Sequence, residues 1–332
     1  MAISHHLKII ARGAQGARSL SRELACELFA QVLDGGVTDL EIGAFCIAMR
    51  VKGETPQELA GFLDALHARL APLPASTRPL VVLPSYNGSR RLPVFTPLLA
   101  LLLAREGVPV LVHGGASEDT RVTSQAVLQC LGVSPMQSVQ RVEAGTACYA
   151  PTALLQPGLA RLLDVRRLLG VRNTAHSLVK LLNPLAPVHG RALVVGSYTH
   201  PEYALSMAAT FQLTGADALL LRGTEGEPVA DARRMPQMDG FIAGVPRRLQ
   251  DAQPGSVQAS HPPSPDLPLN ASAEHTAELI HNMLSGAHAI PAPIAQQLAH
   301  VLHLVAQIET AEADATAAPG TDTGAKPGAH AA

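Results

Sequence analysis

The chain has 332 residues, 47% of them hydrophobic, which suffices for a packed core and about two domains and excludes a disordered or low-complexity protein. A formal net charge of −2 argues against a uniformly basic nucleic-acid binder, and 3% aromatic content without tryptophan leaves too few rings for a base-stacking platform. The four cysteines, Cys26, Cys46, Cys130 and Cys148, form no C-x-x-C pair, so neither a disulfide framework nor a cysteine zinc site is indicated.

The first seventy residues read as three helices. Ser21 precedes Arg22 to Leu33, whose apolar residues recur at helical spacing until Gly35-Gly36 stops them. Thr38-Asp39-Leu40-Glu41 and Thr55-Pro56-Gln57-Glu58 both fit the capping box, in which the Thr hydroxyl takes one orphan N–H and the Glu reaches back for another. Three such helices have more apolar surface than they bury alone, so a homodimer packed through them is expected. The N-terminus has no apolar leader, and the longest greasy stretch, Leu92 to Ala104, is interrupted by Pro93, Thr96 and Pro97. A cytoplasmic protein without membrane spans is expected.

From Pro79 the pattern changes to short β-branched runs separated by helices, the signature of an α/β sheet. Leu80 to Pro84 is the first strand, and it empties into Ser85-Tyr86-Asn87-Gly88-Ser89-Arg90-Arg91, a turn-rich loop of the kind whose backbone N–H groups collect phosphates. One glycine and two arginines suit looser phosphate capture than a glycine-rich pyrophosphate loop. Val108 to His113, Thr146 to Tyr149, Ala192 to Val195 and Ala216 to Leu221 are further strands, with helices at Thr120 to Leu131, Gly158 to Leu169 and Pro201 to Leu213. Beyond Gly226 a surface loop is expected at Pro254 to Pro268, then helices at Ala273 to Ser285 and Pro293 to Ala313. The domains are therefore 1–76, helical and joined by helices around 160–185, and 77–314, α/β, with a disordered tail over 315–332.

Charge is segregated along the chain. Between Tyr86 and Arg191 eleven Arg and Lys face five Asp and Glu, a local +6. Arg161, Arg166, Arg167, Arg172 and Lys180 lie on successive helical segments, and their spacing allows one surface, although Asp164 could equally pair with Arg161 or Arg167 on an ordinary solvated face. His5-His6, His200, His275 and His281 show no His-x-x-x-His or carboxylate pairing, so no metal is expected. Ser177 and Ser197 lack a nucleophile-elbow context, which leaves a hydrolase unsupported.

Pro84-Ser-Tyr-Asn-Gly88, Val112-His113-Gly114-Gly115, Ser117-Glu-Asp119, Gly170-Val-Arg-Asn173, Leu182-Asn183-Pro184, His200-Pro-Glu-Tyr203 and Gly223-Thr-Glu-Gly226 follow one another in an order that resembles anthranilate phosphoribosyltransferase. Within that superfamily, glycosyltransferase family 3, the chain resembles the YbiB-type nucleic-acid-binding branch over roughly residues 8 to 310. The resemblance implies an N-terminal helical bundle and a larger α/β sheet domain. It also exposes departures from the enzyme. The glycine-rich diphosphate loop corresponds to Ser85 to Ser89, where bulk replaces glycine and the Asp is missing; the Lys-His-Gly-Asn motif appears as Val112 to Gly115; and the metal-binding Asp-Glu pair has no clean counterpart in Arg222 to Pro228. Two magnesium ions normally neutralise a diphosphate leaving group, so no transferase mechanism can be written without that pair.

What the resemblance implies is a sequence-nonspecific DNA- or RNA-binding homodimer without catalytic residues or cofactor. Arg90, Arg91, Arg161, Arg166, Arg167, Arg172 and Lys180 would bind phosphates, and Ser85, Asn87, Gly88, Ser89, His113 and Gly114 form a vestigial phosphate loop. Arg166 is retained where the enzyme contacts its aromatic acid. The alternative is an active transferase using Mg²⁺ with phosphoribosyl diphosphate.

Overall fold

Both capping boxes close as the spacing requires. In the computed structural model, which describes residues 3–13, 15–115, 120–253 and 267–317, the chain opens with α1 (Ser4–Ile10), α2 (Arg22–Leu33), α3 (Asp39–Lys52) and α4 (Pro56–His67). Thr38 and Glu41 cap α3 reciprocally, and Thr55 and Glu58 cap α4. Glu58 is wholly buried, accepts a hydrogen bond from Leu20 N at 2.9 Å and pairs with Lys52 at 2.6 Å, so one carboxylate fixes three segments. Phe29, Phe45 and Phe62 meet between the helices with ring centroids 5.0 to 6.2 Å apart. The helix α1 is a fourth one that the sequence pattern did not indicate; its seven residues are too few for a periodicity to show.

The α/β part follows as β1 (Leu80–Pro84), α5 (Thr96–Arg105), β2 (Val110–Gly114), α6 (Ser124–Cys130), β3 (Ala147–Pro151), α7 (Thr152–Leu155), α8 (Pro157–Leu169), α9 (Ala175–Leu178), β4 (Ala192–Tyr198), α10 (Pro201–Thr214) and β5 (Asp217–Arg222). A hairpin of β6 (Met238–Ile242) and β7 (Val245–Gln250) and the helices α11 (Ala273–Leu284) and α12 (Ala292–Ala317) complete it. The sheet order is β3-β2-β1-β4-β5-β6-β7, parallel through β5 and antiparallel from there. Alternate residues of β1 pack to opposite faces, Leu80 and Val82 into the core shared with the N-terminal helices, Val81 and Leu83 into the core under α5, α11 and α12. Burial on both faces is why this strand reads as an unbroken apolar run.

The hairpin corrects the weak reading beyond Gly226. Its two-residue turn, Ala243-Gly244, places both residues at positive φ, 48° and 76°, a conformation that the pair does not advertise as Asn-Gly would. Pro246, Arg247 and Arg248 lie exposed along β7, which blunts the sheet edge against pairing with another chain. The helix expected from Thr120 begins at Ser124, with the Thr123 hydroxyl accepting from Ala126 N. The expected loop at Pro254 to Pro268 and the tail from Ala315 fall mostly outside the described residues, as does the Ser117–Asp119 landmark. The helices around 160–185 lie against the N-terminal unit: Arg161 donates to Val32 O at 3.1 Å, and a Cβ on Gly158 would meet Leu33 O at 2.6 Å. Among the described residues no helix is long and apolar enough to cross a membrane.

Candidate functional site

Strand order reverses between β1 and β4, with β2 and β3 to one side and β5 to the other, so the loops leaving the carboxyl ends of β1 and β4 flank a topological switch point. The loop after β1 is folded tightly there. Gly88 has φ +64°, and a Cβ on it would meet Val122 O at 2.7 Å, because Ser89 and Val122 exchange backbone hydrogen bonds of 2.8 and 3.0 Å. Gly114, at the end of β2, is held to glycine by Ser85 O, which would lie 1.8 Å from a Cβ.

The anion seat made by this loop is filled by the chain itself. Glu227, 1% exposed, accepts from Asn87 N at 3.1 Å and Gly88 N at 2.8 Å with one carboxylate oxygen. The other oxygen accepts from Thr96 Oγ1 at 3.0 Å, Ser124 Oγ at 3.3 Å and Ser85 Oγ. Glu225, two residues earlier, takes three further amides of the loop, Arg90 N at 2.7 Å, Arg91 N at 3.1 Å and Leu92 N at 3.1 Å. Asn87 is clamped from both ends, its amide donating to Glu225 O and its carbonyl accepting from Arg172 Nη2 at 2.5 Å. Glu225 sits at φ +51°, and Gly226 at +92°, a bent backbone that turns both carboxylates toward the loop.

These are the groups that composition and motif matching missed. The segment Arg222 to Pro228 does bring an acidic pair to the phosphate loop, but as occupants of the amides rather than as ligands set opposite them. The signal was the pair of glutamates around one glycine straight after β5, which becomes meaningful only once β5 and β1 are known to end side by side with β4 between them. Magnesium with phosphoribosyl diphosphate does not fit these residues. Five donors already saturate the buried Glu227, three loop amides are taken by Glu225, and a phosphoryl group at the same amides would meet carboxylates of its own sign.

Beside the filled loop lies an open cleft of about 720 Å³ between the ends of α3 and α4, the α8–α9 segment and the start of α10. Four cations, Arg50, Arg121, Arg172 and Lys180, and three carboxylates, Glu54, Glu202 and Glu225, line it. Lys180 is 8% exposed, donates to Ser197 O at 2.7 Å and stands 5.7 Å over the Tyr86 ring; burial, then Arg172, pulls its pKa down to about 8. Burial, again followed by Arg172, holds His176 neutral with a pKa lowered to about 3. His113 is wholly buried, and burial lowers it to about 4. It forms part of the sheet rather than a phosphate contact, and its carbonyl accepts from Ser85 N at 2.7 Å.

The five basic residues expected to share one surface do not. Lys180 and Arg172 turn into the cleft, and Arg166 is half-buried on the same side, near enough to Tyr86 and His176 to influence both. Arg161 and Arg167 are exposed on α8, the first bonded to Val32 O, the second 3.9 Å from Asp164. A helix turns its residues through the full circle, so closeness in sequence did not make one face. Arg90 and Arg91 are exposed on the filled loop, and Ser89 is buried with its hydroxyl donating to Leu92 O.

A seven-stranded mixed sheet with a helical bundle on its amino side and an anion seat at the switch point defines a phosphoribosyltransferase-type scaffold. Residues 7–69 match the model of the glycosyl transferase family helical bundle domain. The chain is 31% identical over 278 residues to an anthranilate phosphoribosyltransferase of Clavibacter michiganensis, spanning 77% of this chain and 73% of that one. It is also 37% identical over 299 residues to the Escherichia coli protein named uncharacterized protein YbiB, over 88% of this chain and 91% of that one. The chain therefore belongs to the anthranilate phosphoribosyltransferase-like superfamily of family 3 glycosyltransferases. Its fold is that of the Thermus thermophilus anthranilate phosphoribosyltransferase, TM-score 0.66 at 24% identity over 88% of this chain and 86% of that one. The Saccharomyces cerevisiae enzyme in complex with phosphoribosyl diphosphate and magnesium gives a TM-score of 0.63 at 15% identity over 91% and 88% of the two chains.

Proposed function

We propose that this protein is a homodimer that binds DNA or RNA through backbone phosphates, without regard to sequence, on a transferase scaffold whose diphosphate seat is closed. The observation that carries the reading is the occupation of the loop amides by Glu225 and Glu227, while Arg90 and Arg91 are exposed on that same loop. A loop whose amides are satisfied internally has only its side chains to offer an anion. Arginine suits that use, because its guanidinium matches a phosphate without needing the backbone. Arg161 and Arg167 add two more exposed cations, on different sides of α8. Assembly is supported by a line of apolar side chains on the outer side of α3, where Leu40 is 84%, Ile47 43% and Val51 74% exposed at seven- and four-residue steps.

A transferase remains the second reading, favoured by the open, cation-lined cleft and the named activity of many relatives. It requires phosphoribosyl diphosphate to displace Glu227.

One experiment separates the two. Binding of a fluorescent duplex across salt concentrations should give log K falling linearly with log salt, by about 0.9 per phosphate neutralised. Arg90→Ala with Arg91→Ala, and Arg161→Ala with Arg167→Ala, should each lower affinity about tenfold and flatten the slope, whereas Arg234→Ala, paired with Asp231 at 3.3 Å, should do little. No anthranilate-dependent turnover of phosphoribosyl diphosphate is expected. A slope near zero, or turnover abolished by Arg166→Ala, would reverse the choice.

A further inference from the structure

The N-terminal helix carries a cluster that the nucleic-acid reading does not use. His5 Nε2 lies 3.7 Å from one oxygen of Glu27, and His6 Nε2 lies 3.9 Å from the other. The two imidazole rings stand 3.7 Å apart, centroid to centroid, and one donor atom from each of the three residues falls within 4.8 Å of the others. His6 is 0% exposed, and neither of its ring nitrogens has a hydrogen-bond partner. A wholly buried imidazole with both nitrogens unsatisfied is costly, and water or protein normally relieves it. Here the relief available is a shared ligand.

We propose that His5, His6 and Glu27 form a binding site for a divalent cation of the zinc class. Two imidazoles and one carboxylate are the donor set of open zinc sites, which leave a fourth position to water. Around a tetrahedral ion with bonds of about 2.0 to 2.2 Å the donor atoms stand about 3.3 to 3.6 Å from one another, and here they lie within 4.8 Å, so closing on an ion takes side-chain shifts of about 1 Å. Solvent reaches the site, because the His5 and Glu27 side chains are 58% and 54% exposed. Hard cations such as magnesium prefer oxygen donors and are selected against. No described group holds His6 Nδ1 from behind, so the affinity is weaker than that of a closed structural zinc site.

The site would act as a clip. Helix α1 has seven residues, no side-chain cap at its start, and is too short to be stable by itself. Bridging it to Glu27 on α2 fixes it against the bundle. The inference is independent of nucleic-acid binding, because none of the three residues lies at the cleft or the filled loop.

The test uses the untagged full chain, stripped with a chelator and titrated with zinc chloride by calorimetry. The chain has 14 histidines, so weak background uptake is expected and the difference between variants is the readout. Wild type should bind one zinc ion more than His5→Ala or Glu27→Gln, or bind it at least thirtyfold more tightly, and only wild type should melt higher with zinc. Both substitutions change half-exposed side chains and leave the buried core intact; His6→Gln is the third arm. Equal stoichiometry and affinity in wild type and the two exposed-site variants would overturn the site, as would the absence of saturable uptake by wild type.

Discussion

The filled loop and the open cleft lie side by side at one end of the same sheet, yet they treat anions in opposite ways. In the loop, five donors close on Glu227 and three on Glu225, so the positive potential of the amides is spent within the chain. In the cleft, Arg172 and Lys180 still face a cavity. The difference comes from a few residues of the segment after β5, which bend back at Glu225 and Gly226. A switch point supplies an anion site by topology, and a short linker decides whether a ligand or the chain takes it.

The largest effect should follow from breaking the loop. Glu227→Ala strands two buried amides and the Thr96 hydroxyl, while Ser85 and Ser124 keep each other at 2.6 Å; at about 1 kcal/mol or more per stranded group, urea unfolding should show a loss of about 3 kcal/mol. A loss below about 1 kcal/mol would mean that the amides have other partners. Acid should then loosen both regions together. His113 beside the loop and His176 in the cleft are buried and neutral, with pKa values lowered to about 4 and about 3 from 6.5. Below pH 6.5 the unfolded chain takes up protons that the folded chain refuses, so stability should fall between pH 6.5 and about 4, by about 3 kcal/mol per histidine at the lower limit. His176→Gln should shallow that slope. The smallest effect is a change of slope with pH, from Lys180→Met. The lysine pKa is lowered to about 8 from 10.5, so the unfolded state binds more protons between those values and wild-type stability should rise with pH across that window. The variant should lack the rise, because it carries no buried charge to relieve, which denaturation at pH 7, 8, 9 and 10 would reveal.

Much of the fold was legible because its signals are local. Thr38, Glu41, Thr55 and Glu58 announce two helix starts within four residues each, and Leu80 to Leu83 announces a strand buried on both faces. The hairpin of β6 and β7 was not, since Ala243-Gly244 is a weak turn signal and the exposed β7 has no alternation to read. The loop was placed correctly in the chain, but its occupant lies about 140 residues away, and no local pattern links Asn87 to Glu227. The basic cluster failed for the same reason. Only the packed structure separates Lys180, inside the cleft, from Arg167, in solvent.

If Glu227 stands where a phosphate would, the vacancy left by Glu227→Ala should accept one. Melting of wild type and Glu227→Ala, each with and without 10 mM inorganic phosphate at ionic strength matched with sodium chloride, measures this directly. The account predicts that phosphate raises the melting temperature of Glu227→Ala by several degrees and leaves wild type unchanged. Equal shifts in both, or none in the variant, would contradict the claim that the carboxylate occupies an anion seat.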